Sequence, residues 1–258
     1  MKKLFAALVL LALASPAFAG KVTGTYEYTD FTEQFGERSV ATAEATIKSK
    51  ADDVTFVVAG AYGERNTDDA SFSGYRVGGQ LYIDWTEWLY TRTAASIGDD
   101  TPVFAKRDYA QDVNFKTATG TTFLLGARYT DYYGDVNVKS YSAGITQKFG
   151  DRFSASYRYT QYDSELTGTS DGHLASLKLN DADSAGSTQL WLGYADTLYA
   201  YDWLPSTGEG QQKSVFIRRV QPLNSNLSLQ LGFGRAWYET PVTDYSSVTG
   251  QVGLSVNW

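Results

Sequence analysis

From Val248 to the C-terminus, in the stretch "SSVTGQVGLSVNW", every second residue is apolar or glycine: Val248, Gly250, Val252, Leu254, Val256 and Trp258. Between them stand Thr249, Gln251, Gly253, Ser255 and Asn257. A period of two places alternate side chains on opposite faces of a β-strand. The same pattern runs through "SGYRVGGQLYIDW", with Tyr75, Val77, Leu81, Ile83 and Trp85 against Arg76, Gln80 and Asp84. In "RFSASYRYTQY" it sets Phe153, Ala155, Tyr157 and Tyr159 against Ser154, Ser156, Arg158 and Thr160, and "NLSLQLGFG" repeats it. Read this way the chain divides into about fourteen segments: 22–31, 38–50, 53–63, 70–85, 88–98, 108–118, 121–131, 135–148, 152–163, 172–180, 187–198, 211–221, 226–238 and 245–258.

The links between segments alternate as well. Short ones ("KADD", "WTEW", "TATG", "FGD", "NSN") occupy every second junction. The others tend to be longer and more polar, as in "GERNTDDA", "GDDTPVFAKRD", "SELTGTSDG" and "YAYDWLPSTGEG", with "DYYGD" a short exception. Short turns on one side and longer loops on the other predict an all-β fold, a closed antiparallel transmembrane β-barrel. Fourteen strands are expected, or twelve if 108–118 and 211–221 are loop. An even number puts both termini on the periplasmic side.

The competing architecture is a soluble sandwich or lipocalin-like barrel with its apolar face inward. Two features weigh against it. The polar face carries Arg76, Arg92, Arg128 and Arg158, and aromatic residues recur near strand ends: Trp85, Trp88, Phe149, Phe153, Trp237 and Trp258. Hydrocarbon offers peptide groups no hydrogen bonds, so a sheet in lipid must pair every edge, and closure achieves that.

The N-terminus changes the picture by adding a destination. "MKKLFAALVLLALASPAFAG" has two lysines, an apolar run from Leu4 to Ala14 and a small-residue site at Ala17-Phe18-Ala19, the layout of a secretory signal. Residues 1–19 are therefore expected to be removed, leaving 20–258 as the barrel. Without Lys2 and Lys3, 20 basic side chains face 29 acidic ones, a formal charge of −9. That balance argues against nucleic acid as a partner, because its phosphates demand Lys and Arg. The absence of cysteine excludes disulfides and thiolate metal sites. Nineteen Tyr, 13 Phe and 6 Trp suit a boundary between water and lipid.

The segments "TPVFAKRDYAQDVNF", "YRYTQYDS", "STQLWL", "YDWLPSTGEG", "VQPLNSNL" and "WYETP" resemble the YaiO-type outer-membrane proteins, over most of the mature chain. The resemblance implies an outer-membrane β-barrel. Related domains stand beside surface polysaccharide machinery, which implies passage or export of glycans, with saccharide export machinery as a partner. A last strand with a terminal aromatic also resembles the closing strand of bacterial outer-membrane barrels, where the barrel-insertion machinery reads that ending.

Strand parity aims Glu44, Arg76, Asp84, Tyr90, Arg92, Asp112, Lys116, Arg128, Arg158, Tyr162 and Lys178 into the lumen. Fixed charges of both signs inside a pore select ions or sugars, and Tyr90 and Tyr162 offer faces for sugar rings. The alternative is a set of mutually satisfied ion pairs that fills the lumen. Trp85, Trp88, Arg235, Trp237 and Trp258 are expected at the membrane interface, in contact with lipid and lipopolysaccharide. Arg235 shares the lipid-facing parity of Leu231 and Phe233, and a charge near the bilayer midplane of a barrel costs about 2–4 kcal/mol, so it belongs high on its strand. A channel or scaffold is expected rather than an enzyme, without cofactor or metal. The one catalytic alternative pairs His173 with Ser170 in "SDGHLAS" as base and nucleophile at the outer rim.

Overall fold

The computed structural model describes residues 20–258 except 34, 50, 52, 68, 135, 166–167, 184, 197–209 and 242. The expected signal segment and most of "YAYDWLPSTGEG" lie outside the described residues. Among those described, fourteen strands run in chain order: β1 (Gly20–Phe31), β2 (Glu37–Lys48), β3 (Val54–Asn66), β4 (Ser71–Thr86), β5 (Leu89–Gly98), β6 (Arg107–Lys116) and β7 (Thr121–Tyr132). They continue as β8 (Val136–Phe149), β9 (Phe153–Ser164), β10 (Gly168–Asn180), β11 (Ser187–Ala195), β12 (Gln211–Pro222), β13 (Leu227–Glu239) and β14 (Tyr245–Asn257). Each strand pairs antiparallel with its chain neighbours, and β1 pairs with β14 from Lys21↔Asn257 to Phe31↔Ser247. The barrel is closed and has no free edge. Both of the weaker segments are strands, β6 and β12, which settles the count at fourteen rather than twelve.

Burial runs opposite to that of a soluble barrel. On β14, Val252 is 46% exposed and Leu254 50%, both on the outside, and Phe233 on β13 is 58% exposed. Inside, Thr23 and Ser255 are hydrogen bonded at 3.0 Å, and Gln230 donates to Ser255 at 2.7 Å. A continuous apolar belt of this size is a liability in water and a match for hydrocarbon.

The end of the barrel that carries both termini gathers outward aromatics: Trp85 and Trp88 flank the β4–β5 turn, and Phe149 and Phe153 sit 5.5 Å apart across the β8–β9 turn. Trp258 exchanges backbone hydrogen bonds with Gly20, and its indole covers the Gly20 Cα, where a Cβ would overlap the ring. At the opposite, loop end, Arg235 points outward near the end of β13 with its guanidinium 5.2 Å from the Trp237 ring.

One loop departs from the expected polar exterior. Residues 99–106, between β5 and β6, fold inward, so that Val103 and Phe104 are buried against Val40 and Ala61 on the inner faces of β2 and β3. Glycines make the room. A Cβ on Gly63 would lie 2.7 Å from Val103 Cγ1, and one on Gly74 would lie 2.6 Å from Thr101 Oγ1. Asp99 Oδ2 accepts from the Tyr75 amide at 2.8 Å and pins the start of the loop. Across the same mouth, Tyr245 stacks on Phe35 at 4.0 Å and on Tyr238 at 4.4 Å, with Phe31 packed alongside. The loop end of the lumen is thus narrowed from two sides by apolar packing.

Candidate lumen site

Within the barrel lies a cavity of about 520 Å³ lined by residues of β2 through β12. Its charged wall comes from the period-two alternation of β4 to β9, which turns Arg76, Arg92, Arg128 and Arg158 inward together with Asp108. Beneath that surface Asp112, 4% exposed, holds two of the arginines. Its Oδ2 accepts from Arg92 Nη1 at 2.8 Å and its Oδ1 from Arg158 Nη2 at 3.2 Å. Arg158 comes from β9, three strands from Asp112 on β6, and reaches it because Gly126 on the intervening β7 has no side chain. Ser142 Oγ accepts from the same Arg158 nitrogen at 2.6 Å, and Gln80 Oε1 takes Arg92 Nε at 2.9 Å. Both arginines are held in place, and the triad keeps a net positive charge.

Arg128 makes a two-point contact with Asp108, Nε to Oδ1 at 2.9 Å and Nη2 to Oδ2. This fork geometry neutralises one guanidinium. Nearer the terminal end, Lys116 Nζ bonds Asp84 at 2.7 Å and lies 4.6 Å from the centre of the Tyr90 ring.

The residues read from parity as lumen-facing divide into groups. Arg76, Arg92, Arg128, Arg158 and Tyr162 line the cavity, and Asp112 lies under it. Asp84, Tyr90 and Lys116 form a separate cluster below. Glu44 faces inward on β2, and Lys178 faces inward on β10. The Tyr162 ring lies over Gly172, where a Cβ would be 2.8 Å from Cε2.

The inward residues that parity reading left out include Asp108, Trp191, Phe216 and Arg218. Trp191 carries Arg218 5.0 Å over its ring and packs 5.8 Å from Phe216, and Phe216 rests on Gly232 and Gly234 of the next strand. The signal was present for Trp191, which shares the parity of Gln189 and Gly193. For Phe216 it was masked by the apolar run Val215-Phe216-Ile217.

The proposed catalytic pair does not form. Ser170 shares the inward parity of its partner Tyr162, whereas His173 points outward, its Nδ1 2.7 Å from the Tyr157 hydroxyl. An odd separation along a strand puts two side chains on opposite faces of the wall. His173 also lies well inside β10 rather than at the rim.

The sequence profile of the YaiO membrane beta barrel domain matches residues 19–202. The chain belongs to this family. Strands β12 to β14 lie beyond the matched range and complete the YaiO-family barrel. Three solved structures resemble it throughout. A bacterial polysaccharide outer membrane secretin aligns with a TM-score of 0.59 at 8% identity, covering 95% of this chain and 100% of that one. A FadL homologue of Pseudomonas aeruginosa gives 0.56 at 9% identity, over 96% and 93% of the two chains. The outer membrane protein Omp33 of Acinetobacter baumannii gives 0.54 at 13% identity, over 93% and 98%. At such identities the likeness is one of fold. Family and fold together make this YaiO-family protein a bacterial outer-membrane β-barrel, with its terminal end on the side where such barrels carry their short turns, the periplasm.

Proposed function

We propose that this YaiO-family barrel is a conduit for small polar solutes, saccharides among them, through its charged lumen. The supporting observation is the cavity itself: about 520 Å³ walled by four guanidinium groups, polar side chains and small residues rather than filled by a packed core. A lumen built only for support would pair its charges off, because an unpaired buried charge is costly. Here three arginines share two carboxylates, and among the described residues the fourth, Arg76, has no carboxylate within ion-pair distance. Tyr162 adds a ring face inside the same space.

A second reading has an observation of its own. The inward loop and the aromatic cluster at the opposite wall narrow the outer mouth, which favours a non-conducting scaffold whose outer loops meet partners. Planar-bilayer recording of the purified barrel separates the two. Stepwise conductance supports the conduit. Silence in the wild type and in a variant lacking residues 99–106 removes it.

The ends of the barrel fit contacts with its surroundings. In this reading Trp85, Trp88 and Trp258 anchor the periplasmic interface, Arg235 and Trp237 meet lipopolysaccharide, and the β14 ending is what the insertion machinery engages. Removal of residues 1–19 on export belongs to the same proposal, as does a meeting with saccharide export machinery.

A further inference from the structure

We infer that Arg76 is the anchor of an oxyanion-binding site in the lumen, so that the solute favoured by the barrel is an acidic saccharide rather than a neutral one. This names the solute class for the conduit proposed above and rests on that reading.

Arg76 stands among small residues on the barrel wall. Its cross-strand partners are Ala61 on β3 and Gly98 on β5, and Gly74 and Gly78 flank it on its own strand and face. Among these strand neighbours none has a side chain long enough to reach its guanidinium. One face is covered by the Phe104 ring of the inward loop, 5.1 Å from ring centre to Cζ. Among the described residues no carboxylate lies within ion-pair distance of it. The carboxylate on the same cavity wall, Asp108 of β6, already spends both oxygens on Arg128.

Arg92, Arg128 and Arg158 line the same cavity as Arg76, and Asp108 is the carboxylate among the lining residues. Like charges gathered in a narrow, low-dielectric wall repel one another, and the field they make attracts an anion. A guanidinium presents planar, forked donors that match carboxylate or phosphate oxygens, and among the described residues none accepts a hydrogen bond from Arg76. Phe104 fixes its plane without using a donor. The arginine is therefore oriented, charged and open to the cavity, which is what an oxyanion needs.

Tyr162 lines the same cavity, and its ring lies over Gly172. An aromatic face with a hydroxyl at its edge accepts the apolar side of a pyranose ring. A sugar that bears a carboxylate satisfies both groups at once.

The test uses the full barrel refolded in detergent, with folding verified for each variant by its heat-modifiable gel mobility. Equilibrium dialysis at low salt compares glucuronate with glucose, the same ring with and without the carboxylate. The expected result is a preference for glucuronate of about tenfold, the size of one added ion contact. The preference falls as sodium chloride is raised, and inorganic phosphate displaces the bound sugar acid. In Arg76→Ala it drops below about twofold. Arg76→Lys, which keeps the charge and loses the fork, retains a reduced preference. Equal binding of both sugars, binding of neither, or full discrimination in Arg76→Ala overturns the inference. The two proposals fail separately. Conductance without sugar discrimination removes the oxyanion site, and discrimination in a barrel that never conducts removes the conduit.

Discussion

Asp112 on β6 and Gly126 on β7 are cross-strand partners, and the space beside the glycine is the space the carboxylate fills. A methyl group on Gly126 would overlap Asp112 Oδ1 and come within 2.8 Å of Ser142 Oγ and 3.0 Å of Arg158 Nη2. Gly126→Ala is therefore expected to push the carboxylate off both arginines. A loss of about 1–3 kcal/mol in folding free energy follows, as for other disrupted polar networks. Urea unfolding of the refolded protein in lipid vesicles measures it, and a loss under about 0.5 kcal/mol would show that the network has slack.

Removing the charge rather than the space gives a second prediction. Asp112→Asn leaves Arg92 and Arg158 without their shared counter-charge, while the amide can still occupy the site. Because Arg92 and Arg158 are 29% and 37% exposed, solvent offsets part of the cost, and about 1–3 kcal/mol is expected rather than the larger penalty of a fully buried broken pair. The added positive charge in the lumen should shift the zero-current potential in a salt gradient towards anions. An unchanged potential would place Arg92 and Arg158 outside the path of the ions.

The inward loop is open to attack from both sides of its contact. Phe104→Ala removes the ring wedged between Arg76 and the wall, and Gly74→Val places a side chain where Thr101 Oγ1 now sits. Both are expected to free residues 99–106 from the lumen and raise single-channel conductance, with faster proteolysis within that loop. If conductance is the same in both variants, the loop does not obstruct the path.

At the periplasmic end, Asp181 takes Arg219 in a two-point contact of 2.7 and 2.6 Å. Those hydrogen bonds, with the arginine charge behind them, hold the Asp181 carboxyl below the usual aspartate range. A lowered folded-state pKa contributes stability that is present above the unfolded value, about 3.9, and is lost as pH falls through the folded one. Asp181→Asn is thus expected to be slightly less stable than wild type at pH 7, with the gap closing below about pH 4. Unfolding curves at pH 7, 5 and 3 test this, and a gap independent of pH would assign the effect to turn geometry.

The strand pattern was legible because its period is two and admits no drift. A residue's parity alone sets the face it joins, so the outward placement of Leu231, Phe233 and Arg235 and the inward placement of Arg76, Arg128 and Arg158 follow from position in the chain. The adjacent Arg218 and Arg219 show the same rule: one enters the lumen beside Trp191, and the other turns out to Asp181. The same parity separates Ser170 from His173, three residues apart and on opposite faces of the wall, and so disposes of the catalytic alternative they offered.

What only the tertiary structure decided is which inward groups meet. Arg158 reaches Asp112 across two intervening strands, a contact set by barrel curvature and by the missing side chain of Gly126, neither of which leaves a periodic trace. The inward turn of Val103 and Phe104 is likewise invisible locally, because their apolar surroundings come from β2 and β3, some 40 to 60 residues earlier in the chain. Alternation along a strand is local physics and is written in the sequence. The partners of a charge, and the lack of an ion-pair partner for Arg76 among the described residues, arise only when the strands close into a ring.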